Sequence, residues 1–572
     1  MKTRNRTKRA QLEQKKDGLY IREAGAGYRR VCARIRVKAV ARVDGTNRHL
    51  AIIKYQDQGG NRHKEIVPLS MLQKSGLLKD RLLDGGFPFP SGDDGDVLLA
   101  YLRDTSKVRK ITIVLKTGWI GRGAYAFPDG TVGPNRKEYL YQSPHGEAIE
   151  AASGIRGSLK YWQSTVAIPA EKSAVAIFAI AVAFASMIMR WHKTESGGFH
   201  LFAQSSKGKT TILMAAQSVI YPVAVEGLVH WDATVAGLEQ EALRCNDGLL
   251  ILDEMGHLAG EDEKLAATQA AKVSYRLAGG KGRLRSALYD PAGHMHQWNL
   301  LFLSSGEMSL AGLHRDAARK RYGGDELRLI DVPAALSEVN GIFDQLADQD
   351  ESAELVRSIR IGSTENYGHA ARQFLTSYMS EFDRADEKVN KWIAAFYRHV
   401  EVQPGGPTGR LAHRFALAYA AARLARFYGV VPWSKERILQ AISLCYSGAL
   451  NTIPDRAALL SKTIESVRKK LQKSRHVLDM REGRRYDEEE MDAAGAYLRG
   501  DSDEGDFYAV KPEALAGWLE SGVTLHALGQ ELLARNALLV QARNLPTKQV
   551  KIKGVDKKAS YYCVRKSFVI DG

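Results

Sequence analysis

The chain has 572 residues, 82 lysines and arginines against 65 acids for a formal net charge of +17, and a hydrophobic content of 44%. This excludes a disordered polyelectrolyte and a small disulfide-stapled module, and leaves room for about three domains with sizeable cores. So basic a balance points to an anionic partner without naming it. The four cysteines, Cys32, Cys245, Cys445 and Cys563, stand far apart, so neither a zinc site nor a disulfide framework is expected. A reducing cytoplasm fits them. No apolar run follows the N-terminal charges, so no secretory signal is expected.

Residues 1–19 read as a disordered basic tail: Lys2, Arg4, Arg6, Lys8, Arg9, Lys15 and Lys16 face Glu13 alone between residues 2 and 16. Such a tail serves either to lie along nucleic acid or to keep the chain soluble. Residues 20–150 read as an α+β domain. Arg34, Arg36 and Lys38 alternate with Ile35 and Val37, and turns at Asp44-Gly45 and Gln58-Gly59-Gly60-Asn61 lead to further strands at 50–55 and 62–67. That is a β-meander with one wet face. Helices near 70–83 and 97–102 and a strand at 111–115 follow. Periodicity assigns this domain no function. Residues 173–189 are apolar between Lys172 and Arg190, but short for a membrane span and rich in alanine, so a buried core helix is expected.

Residues 151–335 carry the chemistry. A short apolar strand runs into Ala203-Gln204-Ser205-Ser206-Lys207-Gly208-Lys209-Thr210-Thr211 and then an alanine-rich helix. This is a phosphate-binding loop in which Ala203 replaces the usual first glycine. Its backbone amides face the phosphates, Lys209 reaches the β- and γ-phosphates, and the Thr210 hydroxyl suits Mg²⁺. Further on, Leu249-Leu250-Ile251-Leu252 ends in Asp253-Glu254, a buried parallel strand with acids at its carboxyl end, where an open α/β sheet places its ligand. Asp253 is expected to hold Mg²⁺ through water, and Glu254 to act as general base on the attacking water. A third strand, 299–305, ends in Ser304 and Ser305, either of which could sense the γ-phosphate. Arg328 opens a fourth strand at 328–333, and Arg321 lies just before it. Both are candidates to reach a neighbouring subunit's nucleotide.

Between the second and third strands a helix at 264–277 precedes Lys281, Arg283 and Arg285 and a turn at Asp290-Pro291-Ala292-Gly293. This reads as a β-hairpin, whose basic residues either track phosphates in a ring's pore or are simply solvated. Residues 336–450 read as a helical lid. Residues 451–572 read as helices followed by a basic hairpin near 550–564, a winged-helix-like domain.

These stretches resemble a family known as domain of unknown function 927, ATPases carried by bacterial mobile elements. Gly118-Trp119 with Phe127-Pro128-Asp129-Gly130, the loop around Lys209, Thr234 with Gly237-Leu238-Glu239, Asn246-Asp247 before the acid strand, Leu301 to Glu307 and Arg328 to Ala334 carry the resemblance. His257 stands where the pattern has Gln. The resemblance implies an AAA+ core similar to minichromosome-maintenance and superfamily three helicases: a homo-hexamer using ATP and Mg²⁺ on single-stranded or forked DNA, with mobile-element primase or replication proteins as further partners and no membrane. The alternatives are a nucleotide-gated DNA-binding or loading factor that does not unwind, and a protein-remodelling or defence ATPase.

Overall fold

The structure, a computed structural model, describes residues 12–23, 27–143, 154–205, 207–223, 228–255, 263–282, 297–316, 328–335, 341–346, 349–404, 406–453, 456–481, 486–500, 505–519, 523, 525–540, 546–552 and 558–570. Strand Leu12–Gln14 pairs with Gly18–Glu23, which pairs with Gly27–Ala33. The expected tail therefore ends by residue 11, because Lys15 N bonds Gly18 O at 2.8 Å in a turn and Leu19 is fully buried. A five-stranded sheet follows in the order Tyr139–Tyr141, Arg109–Val114, Ile35–Val43, His49–Gln56, Arg62–Pro68. Helices Ser75–Asp84 and Asp93–Arg103 cover one of its faces, with Leu78, Leu82, Leu98 and Leu102 packed around Ile35, Ile53 and Tyr55.

The segment 118–132, expected inside this first domain, instead belongs with the central core. Strands Gly118–Ile120, Ala124–Phe127 and Gly130–Val132 form a small sheet of their own, and Trp119, Tyr125 and Phe127 are buried in the cluster that also holds the phosphate-loop strand. The seam is polar and specific. Asp247, wholly buried, accepts from Trp119 N at 3.1 Å and Asn246 Nδ2 at 3.1 Å, and its carboxylate lies 3.2 Å from Arg190 Nη1. Its carbonyl accepts from the Tyr125 hydroxyl at 2.7 Å. Gly118 has φ +95°, and a Cβ there would meet Asp247 Oδ2 at 2.5 Å. Burial pushes the Asp247 carboxyl above its usual range, against the pull of Arg190.

The central sheet is wholly parallel, in the order Val229–His230, Leu249–Asp253, Leu301–Gly306, Gly197–Phe202, Leu329–Pro333. The four expected strands are present, and Val229–His230 adds an edge too short to show in a pattern. Every residue of helix Ala174–Ile188 is buried. Extended to His192 it is long and apolar enough to cross a membrane, yet 89% of that window is inside the protein. This is the buried core helix that its alanine content predicted.

Two helices of the region expected as a lid pack on the core. Helices Gly406–Phe427 and Lys435–Thr452 pack on Ala174–Ile188, with Phe415 stacked on Phe178 at 5.0 Å between ring centroids. Every residue from Phe415 to Ala422 is buried, so the middle of the first of these helices is apolar around its circumference and forms a layer of the core. Helices Gln349–Glu365, His369–Ser380 and Phe382–His399 complete the region. Beyond helix Arg456–Leu471, the winged-helix expectation gives way to a six-stranded mixed sheet. The expected hairpin exists as Lys548–Val550 paired with Ala559–Arg565, but Val477–Asp479, Ala496–Arg499 and Phe507–Val510 join the sheet as well. Strands of three or four residues are too short for alternation to mark them in the sequence.

Candidate functional site

Because the central strands are parallel, their carboxyl ends gather at one edge of the sheet, and strand Gly197–Phe202 delivers its loop there between Leu301–Gly306 and Leu329–Pro333. Gly208, at φ +92°, turns the loop into helix Lys209–Ser218, and no side chain caps that helix. Its first amides have no intrahelical partner and sit at the positive end of the helix dipole, a site for anions. Thr210 is exposed in this first turn, whereas Thr211 is buried. Thr211 can therefore offer a ligand only its amide, since its side chain faces the core. Ala203 is buried, Gln204 and Ser205 are exposed, Lys207 is half-buried, and Ser206 lies outside the described residues.

Lys209 is buried and its ammonium donates to the carbonyls of Ala203 at 2.7 Å and Gln204 at 2.9 Å. Burial lowers its pKa, opposed by the charges of Glu254, Glu307 and Asp253. Three carboxylates thus act on one lysine through their charge. Glu307 was not singled out by sequence reasoning; its only signal was its place just past the carboxyl end of the third strand.

Asp253 is buried and accepts a short hydrogen bond from the Ser305 hydroxyl. The Glu254 amide donates to Asp253 Oδ1 at 3.1 Å and to Ser305 Oγ at 3.2 Å. Glu254 itself has φ +50°, a left-handed conformation that a glutamate adopts only when its surroundings enforce it. Here the enforcing contacts come from the neighbouring acid and from a hydroxyl on the next strand. They fix where the half-buried Glu254 side chain leaves the sheet.

Ser304 does not share this role. Strand alternation sends its hydroxyl to the opposite face, where Trp231 Nε1 donates to it at 2.9 Å and His200 Nδ1 lies 2.9 Å away. His200 Nε2 in turn meets the Met308 carbonyl at 2.9 Å. Ser304 is fully buried in this network, so of the two serines only Ser305 faces the acids. Arg328 lies at the amino end of its strand, its carbonyl accepting from Gly198 N at 2.8 Å and its guanidinium 4.3 Å from the Tyr275 ring centroid. Four residues of extended chain separate Gly198 from Phe202, about 13 Å at the usual strand rise. Arg328 is therefore remote from the phosphate loop of its own chain. Arg321, Arg283, Arg285 and His257 lie outside the described residues. Lys281 is exposed and bridged to Gln297 in antiparallel fashion, at the base of the segment read as a hairpin.

A second support was invisible in the sequence. A Cβ on Gly208 would meet Ile342 Cδ1 at 3.0 Å, so the chain around Ile342 leans on the phosphate loop. That stretch is anchored on both sides. The Ser173 hydroxyl donates to the Ile342 carbonyl at 2.6 Å, Ala174 N donates to Asp344 Oδ1 at 2.6 Å, and Arg437 grips both Asp344 oxygens at 3.0 Å. Arg437 also donates to the Glu171 carbonyl at 2.8 Å.

The donor set suits a triphosphate: open helix amides, a buried lysine, the exposed Thr210 hydroxyl, a buried aspartate held by Ser305, and a rigidly placed glutamate. Among the described residues no cluster of three His, Cys, Asp or Glu forms a separate metal site, and all four cysteines are buried with no disulfide between them. Residues 7–291 match the family described as "Domain of unknown function (DUF927)". The chain is similar in fold to a solved structure described as "SCCmec type IV Cch - active helicase", with a TM-score of 0.63 and 15% identity over 98% of this chain and 99% of that one. No curated protein matches it in sequence.

Proposed function

With residues 7–291 belonging to the DUF927 family as the premise, we propose that the chain is an ATP-dependent DNA helicase or translocase acting in replication of a bacterial mobile element. The observation that carries this reading is the meeting of Lys209, Asp253, Glu254 and Glu307 at one edge of a parallel sheet, below an uncapped helix. The full-length likeness in fold to a protein described as an active helicase supports it. So does a five-stranded parallel order that sets the phosphate-loop strand beside the one bearing Ser305.

In this reading the amides of 207–210 and the Lys209 ammonium bind the β- and γ-phosphates of ATP. Thr210 and Asp253 hold Mg²⁺, which when bound neutralises charge on the phosphate oxygens. Ser305 orients the Asp253 carboxylate by donating to it. Glu254, fixed by its backbone, takes the proton from the attacking water. The water oxygen bonds to the γ-phosphorus as the bond to the β-phosphate oxygen breaks, giving ADP and phosphate. Work on DNA requires that this event be sensed elsewhere, and the Ile342–Asp344 stretch, which touches Gly208 and is held by Arg437, is one link from the loop to the helical region. A homo-hexamer in the cytoplasm, with Arg328 or Arg321 entering the adjacent site and Lys281, Arg283 and Arg285 along the strand, completes the proposal.

The test is Glu254→Gln. ATP binding is expected to persist while DNA-stimulated hydrolysis falls about 10²- to 10⁴-fold, the usual worth of a general base, and displacement of a strand from forked DNA stops with it. Wild-type protein that hydrolyses ATP with DNA but displaces no strand would reduce the activity to nucleotide-gated DNA binding. Hydrolysis that survives the substitution would remove Glu254 from the mechanism.

A further inference from the structure

The five-stranded sheet of the first domain buries one face under helices, and the other face bears a row of cations. Arg36 stands directly opposite Lys54, and Lys54 directly opposite Lys64, across three hydrogen-bonded strands. Like charges placed in such register destabilise a sheet, so folding alone gives no reason for the row. Arg34 and Lys38 flank it along one strand and Arg62 along another, and the six line an open groove of about 310 Å³ that no carboxylate enters. All but the half-buried Arg34 are exposed. The nearby acids are committed to other partners: Asp57 is held by His63 at 2.8 Å, and Glu65 by Arg81 at 3.0 Å. None of the six cations makes an ion pair among the described residues. Lys38 has its pKa lowered first by Lys54, then by burial, Arg36 and Arg109, as expected where positive charges crowd without neutralisation.

We propose that this groove binds the phosphate backbone of DNA, as a contact separate from any pore of the motor. The proposal takes from the preceding reading its partner and nothing of its chemistry. The cations form a grid at roughly 4.8 Å across strands and roughly 6.6 Å along them, a two-dimensional field suited to a line of phosphates. Three are arginines, whose planar forks fit phosphate oxygens. Bases are not read here. Tyr55 reaches the groove but is buried and stacked on His63 at 5.3 Å between centroids, which leaves no aromatic platform for a splayed nucleotide. An acidic protein segment would need apolar anchors beside its charges, and the groove offers none. Binding is therefore indifferent to sequence and governed by release of counterions.

The experiment uses the full chain and compares wild type with Arg36→Ala/Lys54→Ala/Lys64→Ala, following anisotropy of a labelled duplex and of a labelled single strand over a salt series. For three lost phosphate contacts the slope of log K against log salt falls by about 2.7 on duplex or about 2.1 on single strand. The wild-type advantage, about 50-fold or more at 50 mM salt, narrows about 40-fold by 200 mM on duplex. The nucleic acid whose slope changes identifies which form lies in the groove. Thermal stability should not fall, because the substitutions relieve repulsion, and Lys54→Arg should bind as wild type does.

A matched control, Arg384→Ala/Lys391→Ala/Arg398→Ala on helix Phe382–His399, removes equal charge elsewhere. If it lowers the slope as much, or if the row variant leaves the slope unchanged, the groove is not a DNA site. Loss of binding to polyglutamate in place of DNA would assign it to an acidic protein and overturn the proposal equally. The two readings fail separately. Protein that binds DNA through the row but hydrolyses no nucleotide sinks the motor alone, whereas an active ATPase whose DNA affinity ignores the row sinks the groove alone.

Discussion

Ser304 and Ser305 are adjacent in sequence and face opposite sides of one strand, so replacing each by alanine should produce different defects. Ser305→Ala removes a hydrogen bond donated to the Asp253 carboxylate and an acceptor of the Glu254 amide. A hydrogen bond to a charged group contributes about 1.5–3 kcal/mol. Expressed in the barrier, at about 1.36 kcal/mol per decade, that is roughly a 10- to 150-fold loss of kcat. Stability should change little, because the Glu254 amide keeps its bond to Asp253 Oδ1. Ser304→Ala instead strips the acceptor from Trp231 Nε1 and the partner from His200 Nδ1, both on buried residues. A buried donor left unsatisfied costs about 1–3 kcal/mol, or a fall of roughly 2–12 °C in Tm for a unit of this size. Steady-state ATP hydrolysis at saturating DNA and thermal unfolding, run on both variants, give four readings. Ser304→Ala losing turnover at unchanged Tm, or Ser305→Ala keeping full turnover, would refute the assignment of faces and with it the placing of Glu254 by Ser305.

Gly118→Ala should destabilise the protein by about 3–5 kcal/mol in chemical unfolding, since φ +95° is strained for alanine and the new methyl overlaps the Asp247 carboxylate. A loss below about 1 kcal/mol would show that this seam yields. Asp344→Ala should cost about 3–5 kcal/mol by leaving Arg437 buried without its partner. Adding Arg437→Ala should cost clearly less than the sum of the two, with a coupling of up to about 3 kcal/mol in a double-mutant cycle. Strict additivity would mean that the pair does not clamp the stretch behind Gly208.

The strongest patterns in the sequence became the central sheet. Runs such as Leu249 to Leu252 are apolar at every position because parallel strands are covered on both faces. The loop from Ala203 to Thr211 was legible because its chemistry requires glycine, lysine and a hydroxyl in fixed order. What stayed hidden depended on direction and distance. Nothing local distinguishes Ser304 from Ser305 until the pleat assigns each a face, and the left-handed Glu254 is a product of contacts 51 residues apart in sequence. Asp344 and Arg437 meet across 93 residues with no motif to announce them. Gly118-Trp119 and Asn246-Asp247 were noticed as marks of a family, but only the fold explains them as two halves of one buried joint. The row of Arg36, Lys54 and Lys64 was half visible: alternation gave the wet face, whereas register, which sequence does not specify, aligned the charges.

Helix Ala174–Ile188 has a consequence for how the protein is made. The last helix to cover it, Lys435–Thr452, is translated about 260 residues later. At the usual 5–20 residues per second, a stretch as greasy as a membrane segment stays incompletely covered for roughly 13–50 s on the ribosome. Chaperones, or the machinery that inserts membrane proteins, have that long to seize it. Chains cut short before Lys435–Thr452 would leave that part of the helix surface bare permanently and should accumulate as aggregates.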